Sequence, residues 1–202
     1  MKDDIAVALE KDHGRNGFMT WLLEVGLNVA TIKHTLKHLK KWMKEEKLNS
    51  ELFFAPCTTS VKYEPLGVVC IYGSWNVPIS TSLKPLIDSI AAGNCSLVKP
   101  SEIAENSALI IKKLVDTYLD NDAIKCCIGP LEVAVACNNL PLDLICFTGS
   151  TRVGKIIAQN AAKNLTPCIL ELGGKCPMVI DSTADIPHAI AKACIGKFLN
   201  SG

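Results

Sequence analysis

The sequence predicts an α/β protein, a parallel sheet with helices on both faces behind a set of N-terminal helices. Three observations carry that prediction. Short uninterrupted apolar runs recur from residue 61 onward, helical stretches separate them, and Gly-, Pro- or Asn-containing turns follow several of the runs. Strands that are apolar on both sides need cover on both faces, and strand–helix–strand alternation supplies it. In sheets of this kind ligands bind beyond the carboxyl ends of the strands.

The elements follow in order. Residues 2–13 and 20–47 read as helices. In the second, Leu22, Val25, Val29, Ile32, Leu36, Leu39 and Met43 recur at three- and four-residue steps, forming one apolar stripe. Residues 48–60 form a connection. Leu66–Tyr72 reads as a buried strand, Ser80–Ala92 as a helix stopped by Gly93-Asn94, and Cys95–Val98 as the next strand. A helix is expected from Ser101, placed to cap it, to Leu119. Strand Ile124–Ile128, helix Leu131–Cys137 and strand Leu142–Phe147 come next. A helix then runs from Thr148-Gly149-Ser150 to about Lys163. Pro167–Leu172 and Pro177–Ile180 read as strands and Ala184–Leu199 as a last helix. The expected organisation is an N-terminal helical segment, residues 1–60, and a Rossmann-like parallel sheet with flanking helices, residues 61–202.

Bulk properties narrow the function. With 202 residues, 49% of them hydrophobic, 20% charged and a formal net charge of +1, the chain is globular and has no electrostatic case for nucleic acid. The lysines between Lys33 and Lys47, with Glu45 and Glu46 among them, read as a solvated helix face. None of the ten cysteines forms a C-x-x-C pair, and most sit in apolar runs such as Val69-Cys70-Ile71. They read as small buried hydrophobes in a reducing, cytoplasmic setting. No apolar run has the roughly 18 residues a membrane span needs. His34 and His38 lie four apart on a helix with no third ligand near, so no metal is expected.

Four turns carry residue types suited to chemistry. Phe147-Thr148-Gly149-Ser150-Thr151-Arg152-Val153-Gly154 joins a strand to a helix, where free N–H groups and the dipole suit an anion; alone it is as readily a plain helix cap. Lys99-Pro100-Ser101-Glu102 offers a donor and an acceptor for ribose hydroxyls, or simply a surface Lys and a first-turn Glu. Ser74-Trp75-Asn76-Val77-Pro78 places an amide beside Trp75 at a strand end, either an oxyanion donor or an Asn turn before Pro78. Glu171, closing an apolar run before Gly173-Gly174, is either a base with a pKa raised by burial or a strand-terminal carboxylate. There is no G-x-S-x-G elbow, so a serine hydrolase has no footing.

These segments in this order resemble the aldehyde dehydrogenase superfamily, above all the fatty-aldehyde and dimeric class 3 enzymes. Glu64-Pro65-Leu66-Gly67-Val68-Val69 and Ile90-Ala91-Ala92-Gly93-Asn94 are similar to family signatures. So are Lys99-Pro100-Ser101-Glu102, Phe147-Thr148-Gly149-Ser150-Thr151 and Glu171-Leu172-Gly173-Gly174-Lys175.

The resemblance implies an aldehyde as substrate, NAD as cofactor with NADP possible, and a homodimeric parent. It assigns the oxyanion donor to Asn76, with Trp75 beside it in the cofactor site. The hydrolytic base is assigned to Glu171 and the ribose contacts to Lys99 and Glu102. The pyrophosphate turn is assigned to Gly149, Ser150, Thr151, Val153 and Gly154. An acidic residue at the ribose leans toward NAD.

The family's nucleophilic cysteine follows an Asn-Ser-Gly run, and the sequence closes on Asn200-Ser201-Gly202. The expectation is therefore a truncated aldehyde dehydrogenase fold, inactive alone, with a non-catalytic NAD-binding or partner-binding fragment as the alternative. The stretch Gly129–Pro141 departs from the family's Gly-rich turn and more polar helix. A third reading, an acyl-CoA or acyl-phosphate reductase, is disfavoured by Glu171, since such an enzyme needs no hydrolytic base.

Overall fold

In the computed structural model, which describes residues 1–201, the predicted alternation is realised in chain order. Helix α1 (Lys2–His13) and the one-turn α2 (Gly17–Thr20) lead through a π-turn, Trp21–Gly26, into α3 (Leu27–Trp42). A small antiparallel pair follows, β1 (Glu46–Leu48) with β2 (Thr59–Val61). Then come β3 (Val68–Tyr72), α4 (Pro78–Ala91), β4 (Cys95–Lys99), α5 (Glu105–Tyr118) and β5 (Ile124–Cys126). They are followed by α6 (Leu131–Asn138), β6 (Leu144–Gly149), α7 (Thr151–Ala161), β7 (Cys168–Leu172) and α8 (Ile186–Phe198).

The main sheet has the order β5-β4-β3-β6-β7, and every neighbouring pair is parallel. The chain builds outward from β3 to β5, then crosses back to place β6 on the other side of β3. That reversal between β3 and β6 is the point where open sheets of this class bind ligands.

Strand β3 explains why its run is apolar throughout. Val69 and Ile71 join a core with Ile79 and Leu86 of α4, Ile111 and Val115 of α5, and Ile5 and Leu9 of α1. The alternate residues, Cys70 and Tyr72, join a second core with Ile145, Phe147, Ile157 and Ala161. Successive side chains point to opposite faces, so one strand serves both cores.

The chain divides into two compact units, Met1–Leu172 and a second that begins at Gly173. Within the first unit α1 buries Ile5 and Leu9 in the core under the sheet. In the second unit α8 is capped by Asp185, whose carboxylate accepts from His188 N at 3.1 Å, and none of its residues is buried.

Four local expectations are corrected. Pro177–Ile180 is not a strand; Val179 there is 90% exposed and the segment has no regular structure. The long second helix ends at Trp42 and contains the π-turn. One added residue in a turn rotates the rest of the helix by about 100°. The buried positions are accordingly Glu24, Asn28 and Thr35, each one before an expected stripe position, while Leu36 and Met43 are exposed.

Helix α5 begins at Glu105 rather than Ser101, whose hydroxyl accepts from Ile103 N instead of from the helix. The cap comes from α1: Asp12 accepts from Asn106 N at 3.1 Å and Ser107 N at 2.7 Å, and from both of their side chains. Of the ten thiols, three are buried, three half-buried and four exposed. Burial pushes Cys70 and Cys126 up to about 12.

Candidate active site at the carboxyl edge of the sheet

The strand registers place three turns and Glu171 along one edge. Tyr72 lies opposite Lys99 on one side and Phe147 on the other, and Thr148 lies opposite Glu171. The turns holding Lys99–Glu102, Ser74–Asn76 and Gly149–Gly154 therefore lie at the ends of β4, β3 and β6, and Glu171 lies near the end of β7. Two strand spacings, roughly 10 Å, separate β4 from β6.

Lys99 is only 2% exposed, and its ammonium donates to Pro100 O and to Glu102 Oε2, both at 2.9 Å. The Glu102 side chain is 43% exposed. Burial pushes that carboxyl up, the Lys99 hydrogen bond pulls it down, and the balance holds it below its ordinary value. The pair thus presents an ionised acceptor at the surface, fixed by a donor beneath it.

Ser150 caps α7, its hydroxyl accepting from Val153 N at 3.3 Å. The N–H groups of Thr151 and Arg152 have no acceptor within the helix and sit at its positive end. Gly149 and Gly154 serve packing: a Cβ on Gly149 would lie 2.6 Å from the Phe147 ring, and one on Gly154 2.7 Å from Leu172.

Asn76 follows β3 in a tight turn. Ser74 donates its hydroxyl to Asn76 Oδ1 at 2.6 Å, which fixes the amide with Nδ2 as its donor end. Trp75 is half exposed, with the His13 ring edge-on at 6.1 Å. The turn also rests on two residues that sequence reasoning passed over. Arg15 donates to Asn76 O at 2.6 Å and to Glu24 Oε1 at 2.6 Å. The overlooked signal was a single acid inside the run Trp21-Leu22-Leu23-Glu24-Val25.

Glu171 is exposed, as is its neighbour Leu172. Among the described residues β7 pairs only with β6 and stands at the edge of the sheet, and Ile169 on it is also 52% exposed. Helix α6 forms where the sequence departs from the family pattern, tied to the sheet by Tyr72 OH donating to Ala134 O at 3.2 Å. Among the described residues no group of three or more His, Cys, Asp or Glu is placed to hold a metal, and no helix is long and apolar enough to cross a membrane.

The aldehyde dehydrogenase family model matches residues 1–202. The chain belongs to that family. It is 40% identical over 201 residues to the 4,4'-diaponeurosporen-aldehyde dehydrogenase of Staphylococcus aureus, covering 100% of this chain and 44% of that protein. It is 39% identical over 195 residues to aldehyde dehydrogenase family 3 member H1 of Arabidopsis thaliana, covering 96% and 40%.

Among solved structures, a substrate-bound Staphylococcus aureus AldH superposes with a TM-score of 0.96 at 40% identity, covering 100% of this chain and 44% of that one. A Bacillus cereus aldehyde dehydrogenase (the G224D mutant) superposes at 0.88 and 26% identity, covering 98% and 40%. The chain spans about two fifths of the length of these aldehyde dehydrogenases.

Proposed function

We propose that the complete protein carrying these residues oxidises an aldehyde to a carboxylate with NAD(P), through a cysteine thioester, and that residues 1–202 supply the cofactor grip, the oxyanion donor and the hydrolytic base. The observation that carries this reading is the assembly of the Asn76, Lys99–Glu102 and Ser150 turns and of Glu171 near the end of β7 on one sheet edge, on both sides of the β3–β6 reversal.

The residues present fit a dinucleotide. Glu102 accepts from sugar hydroxyls while Lys99 holds its carboxylate in place and ionised. The first-turn N–H groups of α7 and its positive end receive the pyrophosphate. An ionised Glu102 repels a 2′-phosphate, so NAD is preferred over NADP. When bound, the cofactor supplies hydride acceptance. Asn76 Nδ2 donates to the oxygen that becomes anionic when a thiolate adds to the aldehyde carbon, and a donor set in advance loses nothing to reorganisation. Glu171 takes a proton from the water that hydrolyses the thioester. Ten cysteines with no disulfide among those described suit a reducing cytoplasm.

The test is NADH formation by the complete protein over an aldehyde panel. It includes aliphatic and aromatic members and the 4,4'-diaponeurosporen-aldehyde that the Staphylococcus aureus relative's name gives. Turnover with at least one of them is expected, and none with any of them overturns the proposal. The alternative for residues 1–202 by themselves is a non-catalytic module that binds NAD or docks a partner. It is favoured by the exposed apolar side chains Val179, Ile195 and Phe198. Calorimetric titration of the isolated chain with NAD, and sizing after mixing with a full-length relative, would abolish this alternative if neither detected binding.

A further inference from the structure

We propose that Arg15, held by Glu24, is a positioning residue that aims the Asn76 amide at the aldehyde oxygen; this rests on the reading of Asn76 as the oxyanion donor. Arg15 lies on the link between α1 and α2. Its two terminal nitrogens do separate tasks, Nη1 donating to Glu24 Oε1 and Nη2 to the backbone oxygen of Asn76, each at 2.6 Å. The side chains of Arg15 and Glu24 are 7% and 0% exposed.

Glu24 also fixes the helix that Asn76 leads into. Its second oxygen accepts from Ser80 N at 2.8 Å, in the first turn of α4. That helix opens with Val77 and Pro78, which provide no side-chain cap. A carboxylate 56 residues upstream thus supplies the missing acceptor. The Asn76 turn is therefore pinned at both ends, by Arg15 at its carbonyl and by Glu24 at the helix it enters.

The π-turn is what delivers Glu24. Asn28 donates to Glu24 O at 2.5 Å and to Ser80 Oγ at 3.0 Å, and Ser80 Oγ donates to Leu23 O at 2.6 Å, so the widened turn is bolted to α4. π-Turns within helices recur at functional sites. A buried ion pair is a poor stabiliser against an apolar replacement. A fork that joins a carboxylate to one chosen carbonyl gives direction, and arginine is the side chain with that geometry. With Ser74 holding Oδ1, the Asn76 turn and its amide are both constrained.

The experiment uses the complete protein with an aldehyde that it turns over, and the variants Arg15→Lys, Arg15→Gln, Asn76→Ala and both Arg15 changes in the Asn76→Ala background. Arg15→Lys keeps a cation beside Glu24 and the fold, but a single nitrogen does not serve both partners. A misaimed group costs up to about a hundredfold, so kcat is expected to fall by roughly tenfold or more with the NAD KM unchanged.

In the Asn76→Ala background the same substitution is expected to cost less than about threefold, because a residue acting only through Asn76 has nothing left to aim. Circular dichroism and melting curves establish that each variant is folded, and Arg15→Lys carries the test if Arg15→Gln is not. Wild-type kcat in Arg15→Lys, or an equal loss with and without Asn76, overturns the inference. An inactive wild type, or an Asn76→Ala variant with undiminished kcat, overturns instead the functional reading on which it rests.

Discussion

The two ends of the sheet both carry segments that resemble family signatures, and they use them differently. At the amino end, Asn94 Oδ1 accepts from Leu66 N at 2.7 Å and Gly67 N at 3.1 Å, while Asp143 Oδ2 accepts from Val68 N at 2.7 Å. Gly67 has φ +131°, and a Cβ there would overlap the Asp143 carboxylate. The Glu64–Val69 and Ile90–Asn94 segments are thus two halves of one joint, with their polar groups turned on each other's backbone. At the carboxyl end, the turns hold Glu102 and the α7 amides toward the surface, each supported from behind by Lys99 or by the Ser150 cap. Motifs of equal resemblance therefore divide into a joint that closes on itself and an edge that stays open.

Substitutions at the two ends should separate stability from binding. Gly67→Ala forces a left-handed conformation and a clash onto a residue with a Cβ; a loss of about 3 kcal/mol in denaturant unfolding is expected. An unfolding midpoint equal to wild type would break the comparison. Asn94→Ala leaves two N–H groups unpaired at the start of β3 and is expected to cost about 2 kcal/mol, with NAD affinity per folded molecule unchanged.

Lys99→Met should do the reverse. NAD affinity by calorimetry falls about tenfold, while the unfolding free energy moves by less than about 1 kcal/mol, since the Glu102 side chain left behind is 43% exposed and returns to water while the desolvation of the buried ammonium is relieved. Equal losses in both measurements would erase the distinction between the ends.

Asp12→Asn has the smallest effect, about 1 kcal/mol at neutral pH, because α5 loses a charged cap. Its sign with pH is fixed. Burial pushes the Asp12 carboxyl up, but the Ser107 and Asn106 donors outweigh it and hold it below the ordinary 3.8. The contribution is full above that value and fades as pH falls through the lower folded value. The unfolding curves of the wild type and of Asp12→Asn should accordingly converge in acid, and a gap that stays constant to low pH would rule the cap out.

The alternation of strands and helices was legible because an apolar run of five residues followed by Gly or Pro has few alternatives. The positions of Asn76, Lys99, Glu102 and Ser150 on one edge followed from that alternation alone. Three features were not legible, each for a physical reason. The π-turn shifts the buried face of α3 by one residue, and nothing in the Leu22–Met43 periodicity announces it. The burial of Glu171 was inferred from an apolar run, but an edge strand leaves such a run half exposed. Both distant acceptors, Asp12 for α5 and Glu24 for α4, lie far upstream of the helices they cap, beyond any local capping motif. The same distance hid Arg15, whose partner Asn76 is 61 residues away.

The Asp12 contact has a consequence for the order of events on the ribosome. Its acceptor oxygens and the Ser107 amide are separated by 95 residues of chain. Synthesis completes α1 long before α5 exists, so α1 must wait with Ile5 and Leu9 uncovered. Docking of α1 and stabilisation of α5 are then a single event, which ties the capping of one helix to a segment made 95 residues before it.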